Sequence, residues 1–233
     1  MNAQNKTGTT IKKDARVVTS IEVLKVEPAH QQELVDTMRQ IAEVLTRQPG
    51  FVSVNLHRSL DETHVINYVQ WESEDLLVSA QQLPALQEQR DNRRKLALTD
   101  ELDVYDVVYT DDRSNLGITT IFKENNVTTF INVISTTPER QSALLDFVIG
   151  NDAKVFAGAP GYQSANFHRG HNGTHVINYS HWDSEQAFLD AINALFKLPN
   201  LTMEQANQMA TAQAGGVGTT DFRFYTVVFS AHA

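Results

Sequence analysis

The sequence has no cysteine. Disulfides, thiolate metal sites, cysteine-ligated iron–sulfur clusters and cysteine nucleophiles are therefore excluded, and packing alone has to stabilise the fold. Positive charge is also scarce, because 19 Lys and Arg residues against 28 Asp and Glu residues leave a formal net charge of −9. This balance argues against a protein that binds nucleic acid or anionic membranes through a general electrostatic field.

Long apolar runs are missing as well. The chain has no stretch of about 18 consecutive apolar residues, so we expect no membrane span. Residues 1–16 contain basic side chains but no apolar run behind them, which is unlike a secretory signal. We expect a disordered tail at residues 1–16 and a cytoplasmic location.

An internal repeat dominates the remaining sequence. The stretch from His57 to Glu74 reads HRSLDETHVINYVQWESE, and the stretch from His168 to Glu185 reads HRGHNGTHVINYSHWDSE. Eleven of these 18 positions are identical at a constant offset of 111. A repeat of this length equals one small domain. We therefore predict a tandem duplication with a first domain at 17–111, a linker at 112–126 and a second domain at 127–233, and an extra strand at Ile118–Phe122 within the linker.

Both halves show the same order of elements. Alternating and β-branched runs predict strands, recurrence every three or four residues predicts helices, and Pro-Gly marks the end of the first helix. Ser73 and Ser184 have the position and residue type of helix N-caps. The first half is predicted to contain strands at Val17–Val26, Phe51–Ser59, Thr63–Trp71 and Leu102–Tyr109, and the second half has its outer strands at Val127–Ser135 and Phe222–Phe229.

The order strand-helix-strand-strand-helix-strand is that of the ferredoxin-like, split βαβ unit. Its helices cover one face of the sheet and leave the other face in need of a partner. We predict an α+β protein in which two ferredoxin-like repeats pack their antiparallel sheets into one intramolecular barrel, a dimeric α+β barrel within one chain. Homo-oligomers of the two-domain chain stay open.

Strand alternation groups candidate pocket residues on one face of each sheet. With a two-residue turn between the strands, Arg58, Asn67 and Trp71 converge. Their copies are Arg169, Asn178 and Trp182. An indole, a carboxamide and a guanidinium suit a pocket for a planar ligand with an oxygen or a negative charge. The alternative is structural: a core Trp, an Asn bonded to backbone and a solvated Arg.

This block also resembles a known family. A strand-turn-strand reading HRS..ETHVINYVQWES, in a unit of about 100 residues with this strand order, resembles the antibiotic biosynthesis monooxygenase domain family of the dimeric α+β barrel superfamily. Both halves resemble it. The family contains cofactor-independent oxygenases that oxidise anthrone-like polyketide intermediates to quinones, haem-degrading monooxygenases, quinol-related enzymes and members with no known reaction.

The resemblance implies roles for the shared residues. In the anthrone oxygenases a strand Asn and a Trp four residues later line the substrate pocket, and Asn67 with Trp71 and Asn178 with Trp182 match that spacing. The Asn would hold the oxygen of a deprotonated substrate that itself reduces O₂, and neither metal nor other cofactor would be required. The sequence departs from that group where its pocket Tyr falls on Leu77 or Phe188, and its pocket Arg has a counterpart only near Arg90.

The histidines indicate less about function than the Asn and Trp pairs do. The axial His of the haem-degrading members falls on Gln81 and Ile192, so haem ligation in that manner is not expected. His168, His171 and His175 lie close in sequence, but the first half does not repeat the trio, so no metal site is predicted. His57 with His64, and His168 with His175, are expected to line the sheet and hydrogen-bond across it, and one of them is a candidate general base.

The leading hypothesis is a cofactor-independent monooxygenase that oxidises a small planar aromatic substrate of the anthrone or quinol type with O₂. Two equivalent pockets are expected, with Asn67, Trp71, Asn178 and Trp182 as catalytic residues and Arg58, Arg169, His64 and His175 as substrate-binding residues. Differences such as Val69/Ser180 and Gln70/His181 leave open that one pocket has changed its role. The alternative is a non-catalytic barrel that binds or scaffolds a hydrophobic metabolite, and a Soret titration would expose haem handling.

Overall fold

The computed structural model describes residues 8–113, 117–123, 127–151 and 155–233. These residues form two copies of one order of elements, each preceded by a two-residue strand. The first copy consists of β1 (Thr9–Thr10), β2 (Val18–Val26), α1 (Gln31–Leu45), β3 (Phe51–Ser59), β4 (His64–Trp71), α2 (Glu74–Gln81), α3 (Gln87–Leu96) and β5 (Ala97–Asp112). The second consists of β6 (Thr120–Ile121), β7 (Thr128–Ser135), α4 (Gln141–Asn151), β8 (Tyr162–Gly170), β9 (His175–Trp182), α5 (Glu185–Phe196), α6 (Met203–Gln213) and β10 (Thr219–His232).

The helices follow the patterns that predicted them. α1 buries Leu34, Met38 and Ile41 at helical spacing against the sheet. The hydroxyl oxygens of Ser73 and Ser184 accept hydrogen bonds from backbone amides three residues later, so both predicted N-caps are confirmed. None of the helices in the described ranges is long and apolar enough to cross a bilayer.

The eight long strands close into one antiparallel barrel with the order β10-β3-β4-β2-β5-β8-β9-β7. Each half keeps the ferredoxin-like order, and the halves join where β5 pairs with β8 and β10 pairs with β3. The predicted intramolecular barrel is confirmed. The last strands exceed their predicted lengths because each has two partners: β5 pairs with β2 up to Tyr105 and with β8 from Tyr105 onward.

The two faces of the barrel wall have different surroundings. Alternate residues such as Ile66, Tyr68, Ile177 and Tyr179 fill the interior, where side chains of both halves share one cluster. The residues between them, including Trp71, point outward to the helices of their own half. The outward face therefore holds any cavity between sheet and helices.

The expectation of a disordered tail is wrong for residues 8–16, while residues 1–7 and parts of the predicted linker lie outside the described residues. β1 pairs antiparallel with β6, and Ile11 and Ile121 are buried in the barrel interior. Thr9 and Thr119 occupy equivalent places, since each accepts a hydrogen bond from a buried Asn of β3 or β8. The duplication therefore includes this segment, which covers one end of the barrel, and the expected strand at Ile118–Phe122 is present as β6.

We predict that Ile11→Ala destabilises the protein by about 2–5 kcal/mol, the usual cost of truncating a buried Ile. Ile11 is 1% exposed, so the change leaves an unfilled space inside the barrel. Urea unfolding followed by circular dichroism measures the effect, with exposed Lys12→Ala as the control. Equal stabilities of the two variants would show that the segment does not pack in the barrel.

Candidate active site

Each half has a cavity between the outward face of its sheet and its own helices. We call the cavity at Asn67 and Trp71 the first cavity and the cavity at Asn178 and Trp182 the second cavity. The space between their atoms, counted to the mouth, is about 810 Å³ in the first and about 820 Å³ in the second. These volumes include open solvent at the mouth of each cavity.

Strand alternation positions the four residues that were expected to be catalytic. Asn67 and Trp71 lie four residues apart on β4, and Asn178 and Trp182 do so on β9, so each pair faces the helices. All four line their cavities. The structure thus brings each Asn together with its Trp, and their part in catalysis stays a prediction.

The second cavity is walled by aromatic rings. Phe130 and Phe188 lie 4.1 Å apart between centroids, and Trp182 meets Phe188 edge to face at 5.4 Å. None of the described residues that line this cavity is Asp, Glu, Lys, Arg or His. Flat apolar walls of this kind suit a planar aromatic ligand. The aromatic lining residues are Phe130, Phe147, Phe156, Tyr162, Phe167, Trp182, Phe188, Phe196 and Phe222.

Two carboxamides supply polar groups among these rings. Asn132 of β7 lies directly opposite Asn178 of β9, and both line the second cavity. The Oδ1 atom of each is buried, and neither has a hydrogen-bond partner among the described residues. Buried polar atoms are normally paired, so two unpaired carboxamide oxygens side by side indicate a site that binds a polar group. Asn132 was not among the predicted site residues, although a lone polar residue within the apolar run FINVI is a signal.

The first cavity has a different chemistry. Glu22 of β2, the counterpart of Asn132, lies opposite Asn67. Three arginines of α3 line this cavity with it, and Trp71 is its one aromatic lining residue among those described. The two cavities therefore lie in equivalent places but are not equivalent sites. Glu22 was not among the predicted site residues either, although a charged residue in the apolar run SIEVL is a signal.

The two strand arginines do not reach the cavities, which corrects their assignment to substrate binding. The predicted register is confirmed, since Arg58 lies opposite Val65 and Arg169 opposite Val176. Both side chains are exposed, and Arg169 donates a hydrogen bond to Asp106 at 2.9 Å. They share the outward face with the Asn residues but lie at the hairpin ends of the strands, beyond the cavities.

His64 and His175 also lie outside both cavities, so their expected substrate-binding role is corrected. Each sits at a barrel end and contacts a carboxylate of the opposite half. His64 Nε2 lies 3.4 Å from Asp221, and His175 Nε2 lies 3.0 Å from Glu101. Alternation turns these positions away from Asn67 and Asn178, because each His precedes its Asn by three positions and odd offsets fall on opposite faces of a strand.

His57 and His168 lie in the barrel interior and not at a cavity. His57 Nε2 is 3.1 Å from the Tyr179 hydroxyl, and His168 Nε2 is 3.2 Å from the Tyr68 hydroxyl. Burial lowers the pKa of each imidazole from 6.5 to about 4. Neither imidazole reaches a ligand in either cavity. The structure therefore does not support the hypothesis that one of these histidines is the general base.

The histidine trio is separated in the fold. His168 contacts Tyr68, His171 lies 3.1 Å from Asp106, and His175 contacts Glu101. Across the described ranges, no group of three or more His, Asp or Glu side chains is placed to hold a metal ion. Gln81 and Ile192, at the positions of the axial His in haem-degrading members, line the first and second cavities respectively. Neither side chain is an imidazole.

Comparisons with known proteins agree with this architecture. The sequence model described as "Antibiotic biosynthesis monooxygenase" matches residues 17–91 and 128–193, which together exceed half of the chain. The curated tetracenomycin-F1 monooxygenase of Streptomyces glaucescens is 44% identical over 66 residues. This match covers 28% of the chain and spans 59% of the length of that relative.

Two solved structures have the same fold along nearly the whole chain. An anthrone oxidase-like protein superposes with a TM-score of 0.79 at 23% identity and covers 97% of both chains. A major regulator of staphylococcal pathogenesis superposes with a TM-score of 0.50 at 9% identity, covering 90% of this chain and 99% of its own. At these identities the likeness shows the fold alone, and proteins of different function share it.

Proposed function

Since the chain belongs to the antibiotic biosynthesis monooxygenase family, we propose that it is a cofactor-independent monooxygenase that oxidises a small planar aromatic compound of the anthrone or quinol type with O₂. The second cavity is the proposed site of this reaction. The observation that carries the proposal is the pair of buried, unpaired carboxamide oxygens of Asn132 and Asn178 within an aromatic enclosure. The name of the curated relative supports the same class of reaction.

The arrangement fits a substrate with an acidic CH₂ group beside a carbonyl or phenol. A side-chain amide both accepts and donates hydrogen bonds. The unpaired Oδ1 atoms of Asn132 and Asn178 accept a hydrogen bond from a hydroxyl group of the substrate. The N–H groups of the same amides donate to the substrate oxygen on which negative charge develops when the CH₂ loses a proton. Because the walls are mostly apolar, these dipoles act more strongly than they would in solution.

The electrons for the reaction come from the substrate. The deprotonated substrate reduces O₂, and a C–O bond forms at the former CH₂ carbon to give a peroxide. Cleavage of the O–O bond leaves one oxygen atom in the new carbonyl, and the other leaves as water with the two hydrogens of the CH₂ group. The sum is R₂CH₂ plus O₂ giving R₂C=O plus H₂O. The Trp182 and Phe188 rings hold the planar skeleton during these steps.

Oxygen uptake tests this proposal. Chelator-treated, flavin-free protein is mixed with an anthrone or a dihydroxynaphthalene, and autoxidation without protein is subtracted. We expect uptake above autoxidation, with one O₂ consumed for each quinone formed. Substrate binding, seen as a thermal shift, without uptake above autoxidation would contradict the enzymatic proposal and favour the alternative of a barrel that binds a hydrophobic metabolite.

A further inference from the structure

The first cavity contains an ionic cluster where the second cavity is neutral. Arg93 Nη1 contacts the Glu22 carboxylate, and Arg93 Nη2 lies 2.7 Å from Asp100. Glu22 and Arg93 line the cavity, and their side chains are 5% and 16% exposed. Burying charges is costly, so a charged cluster in one half of a duplicated protein, where the other half is neutral, calls for a reason other than stability.

The corresponding positions in the second half are uncharged. Glu22, Arg93 and Asp100 correspond to Asn132, Gln213 and Thr220, all of which line the second cavity. The offset of 120 positions that relates Arg93 to Gln213 also relates Arg90 and Arg94 to Ala210 and Ala214, which line the second cavity as well. The barrel accommodates either set at the same places. The acidic and basic groups therefore distinguish the two cavities chemically without a change of fold.

Glu22 is placed to exchange protons with a bound molecule. Asn67 lies beside it and donates a hydrogen bond to its carboxylate. Burial raises the pKa of Glu22 to about 7, although Arg93 acts in the opposite direction. A carboxylate with a pKa near neutrality is well matched to general acid–base work. Trp71 Nε1 and Asn67 Oδ1, which belong to the same lining, are buried and have no hydrogen-bond partner among the described residues.

A path for the proton leads from the cavity to solvent. Asp100 lies on β5, next to the β2 strand that carries Glu22, and the guanidinium of Arg93 contacts both carboxylates. The Asp100 side chain is 29% exposed and Glu22 is 5% exposed. A proton taken up at Glu22 can therefore pass to Asp100 and from there to water.

We propose that the first cavity is a separate acid–base site, in which Glu22 removes a proton from an apolar carbon acid, such as an aromatic ketone with an acidic CH₂ group, and Asp100 passes it to solvent. Leu77, Val69 and Trp71 provide the apolar wall for such a ligand. This inference concerns the first cavity and does not depend on oxygenation in the second.

The step is a proton transfer without oxidation. The C–H bond of the CH₂ group breaks, its electron pair stays on the substrate as an enolate, and the proton bonds to Glu22. The arginines that line the cavity stabilise the enolate oxygen. Arg94 is available to bind this oxygen, because its 3.5 Å contact with Asp91 is exposed to solvent. Return of a proton from solvent to the same carbon completes an exchange cycle.

Deuterium exchange tests the proposal. The full-length protein is incubated without O₂ in D₂O with 2-tetralone, a bicyclic aromatic ketone, and loss of the CH₂ signal is followed by proton NMR. In the Asn178→Ala background, which removes the oxyanion donor proposed for the second cavity, we expect exchange faster than in buffer and a loss of that acceleration by about 10²–10⁴-fold on Glu22→Gln, as for removal of a general base. Glu101→Gln removes a carboxylate from the same part of β5 on the opposite face and is expected to leave exchange unchanged.

A second variant covers the case in which Glu22→Gln does not fold. Glu22→Asn/Arg93→Gln/Asp100→Thr installs the set that the second half already accommodates, and it is expected to fold and to lose exchange. Exchange at the wild-type rate in either variant would overturn the proposal. So would wild-type exchange no faster than in buffer, or exchange that is lost on Asn178→Ala, since the latter would locate the proton transfer in the second cavity. Because O₂ is absent, none of these outcomes depends on the oxygenation assay.

Discussion

Replacing Asn178 by alanine is expected to lower kcat for oxygen uptake by about 10²–10³-fold, the usual effect of removing one oxyanion donor. Asn178 lies opposite Asn132 among aromatic rings, so an oxyanion without its amide would face apolar walls. The rings that provide apolar contact are unchanged. We therefore expect KM to change by less than about tenfold, since the lost interaction is made mainly in the transition state.

The control for this experiment is Asn172→Ala, which removes an exposed asparagine from the β8–β9 hairpin. Steady-state oxygen uptake with the same anthrone gives kcat and KM for each variant, and a thermal melt shows that each is folded. An unchanged kcat in Asn178→Ala would contradict the proposed role of this residue. A loss of affinity alone would indicate a binding protein.

The second large effect is expected in acid. Burial lowers the pKa of His57, His168 and His181 from 6.5 to about 4. Between these two values the unfolded chain binds protons that the folded protein excludes, so the free energy of unfolding falls as the pH falls from 6.5 towards 4. At about 1.4 kcal/mol per pKa unit, each histidine accounts for about 3 kcal/mol.

Glu22 acts in the opposite direction. Its pKa is raised by burial from 4.5 to about 7, so protonation stabilises the folded state over nearly the same range of pH. It offsets part of the loss that the histidines cause. The remaining loss, on the order of several kcal/mol, is comparable with the whole stability of a typical protein. We therefore expect cooperative unfolding between pH 6 and pH 4, measured by circular dichroism; full stability at pH 4 would contradict this account.

His181→Gln separates this effect from general acid sensitivity. The first half already has Gln70 at this place, where it accepts a hydrogen bond from Ser53 and donates one to a β1 carbonyl. In the second half, His181 Nε2 and Ser164 Oγ are both buried without a partner among the described residues. We expect the variant to gain about 1 kcal/mol at pH 7 through the new hydrogen bonds. Its acid midpoint should also move to lower pH, and an unchanged midpoint would exclude His181 as a contributor.

Much of the fold was predictable because the same pattern of strands and helices occurs twice in the sequence. The two halves share an order of elements, and a period of two along their strands separates the outward positions of Asn67 and Asn178 from the inward positions of Tyr68 and Tyr179. The bounds of β3 were predicted to the residue. Of the candidate site, the Asn and Trp pairs were placed correctly at the cavities, because alternation and repeat spacing are local properties.

The remaining parts of the site join segments that are far apart in the chain. Glu22 and Arg93 are separated by 71 residues, and His57 and Tyr179 by 122. No periodicity relates such positions, since their contact depends on how helices and halves pack together. For the same reason the arginine at a hairpin end shares a face with Asn67 without reaching its cavity.

The duplication, the ferredoxin-like order and the sheet face of each candidate residue can be predicted from the amino-acid sequence, because they follow from periods of two and about 3.6 residues and from repeated spacing. Which polar groups meet depends instead on how the whole chain packs. This packing pairs β1 with β6 to cover the barrel end, and it surrounds Asn178 with aromatic rings and Asn67 with charges. These differences arise from long-range packing, in which each side chain takes its environment from neighbours that are remote in sequence.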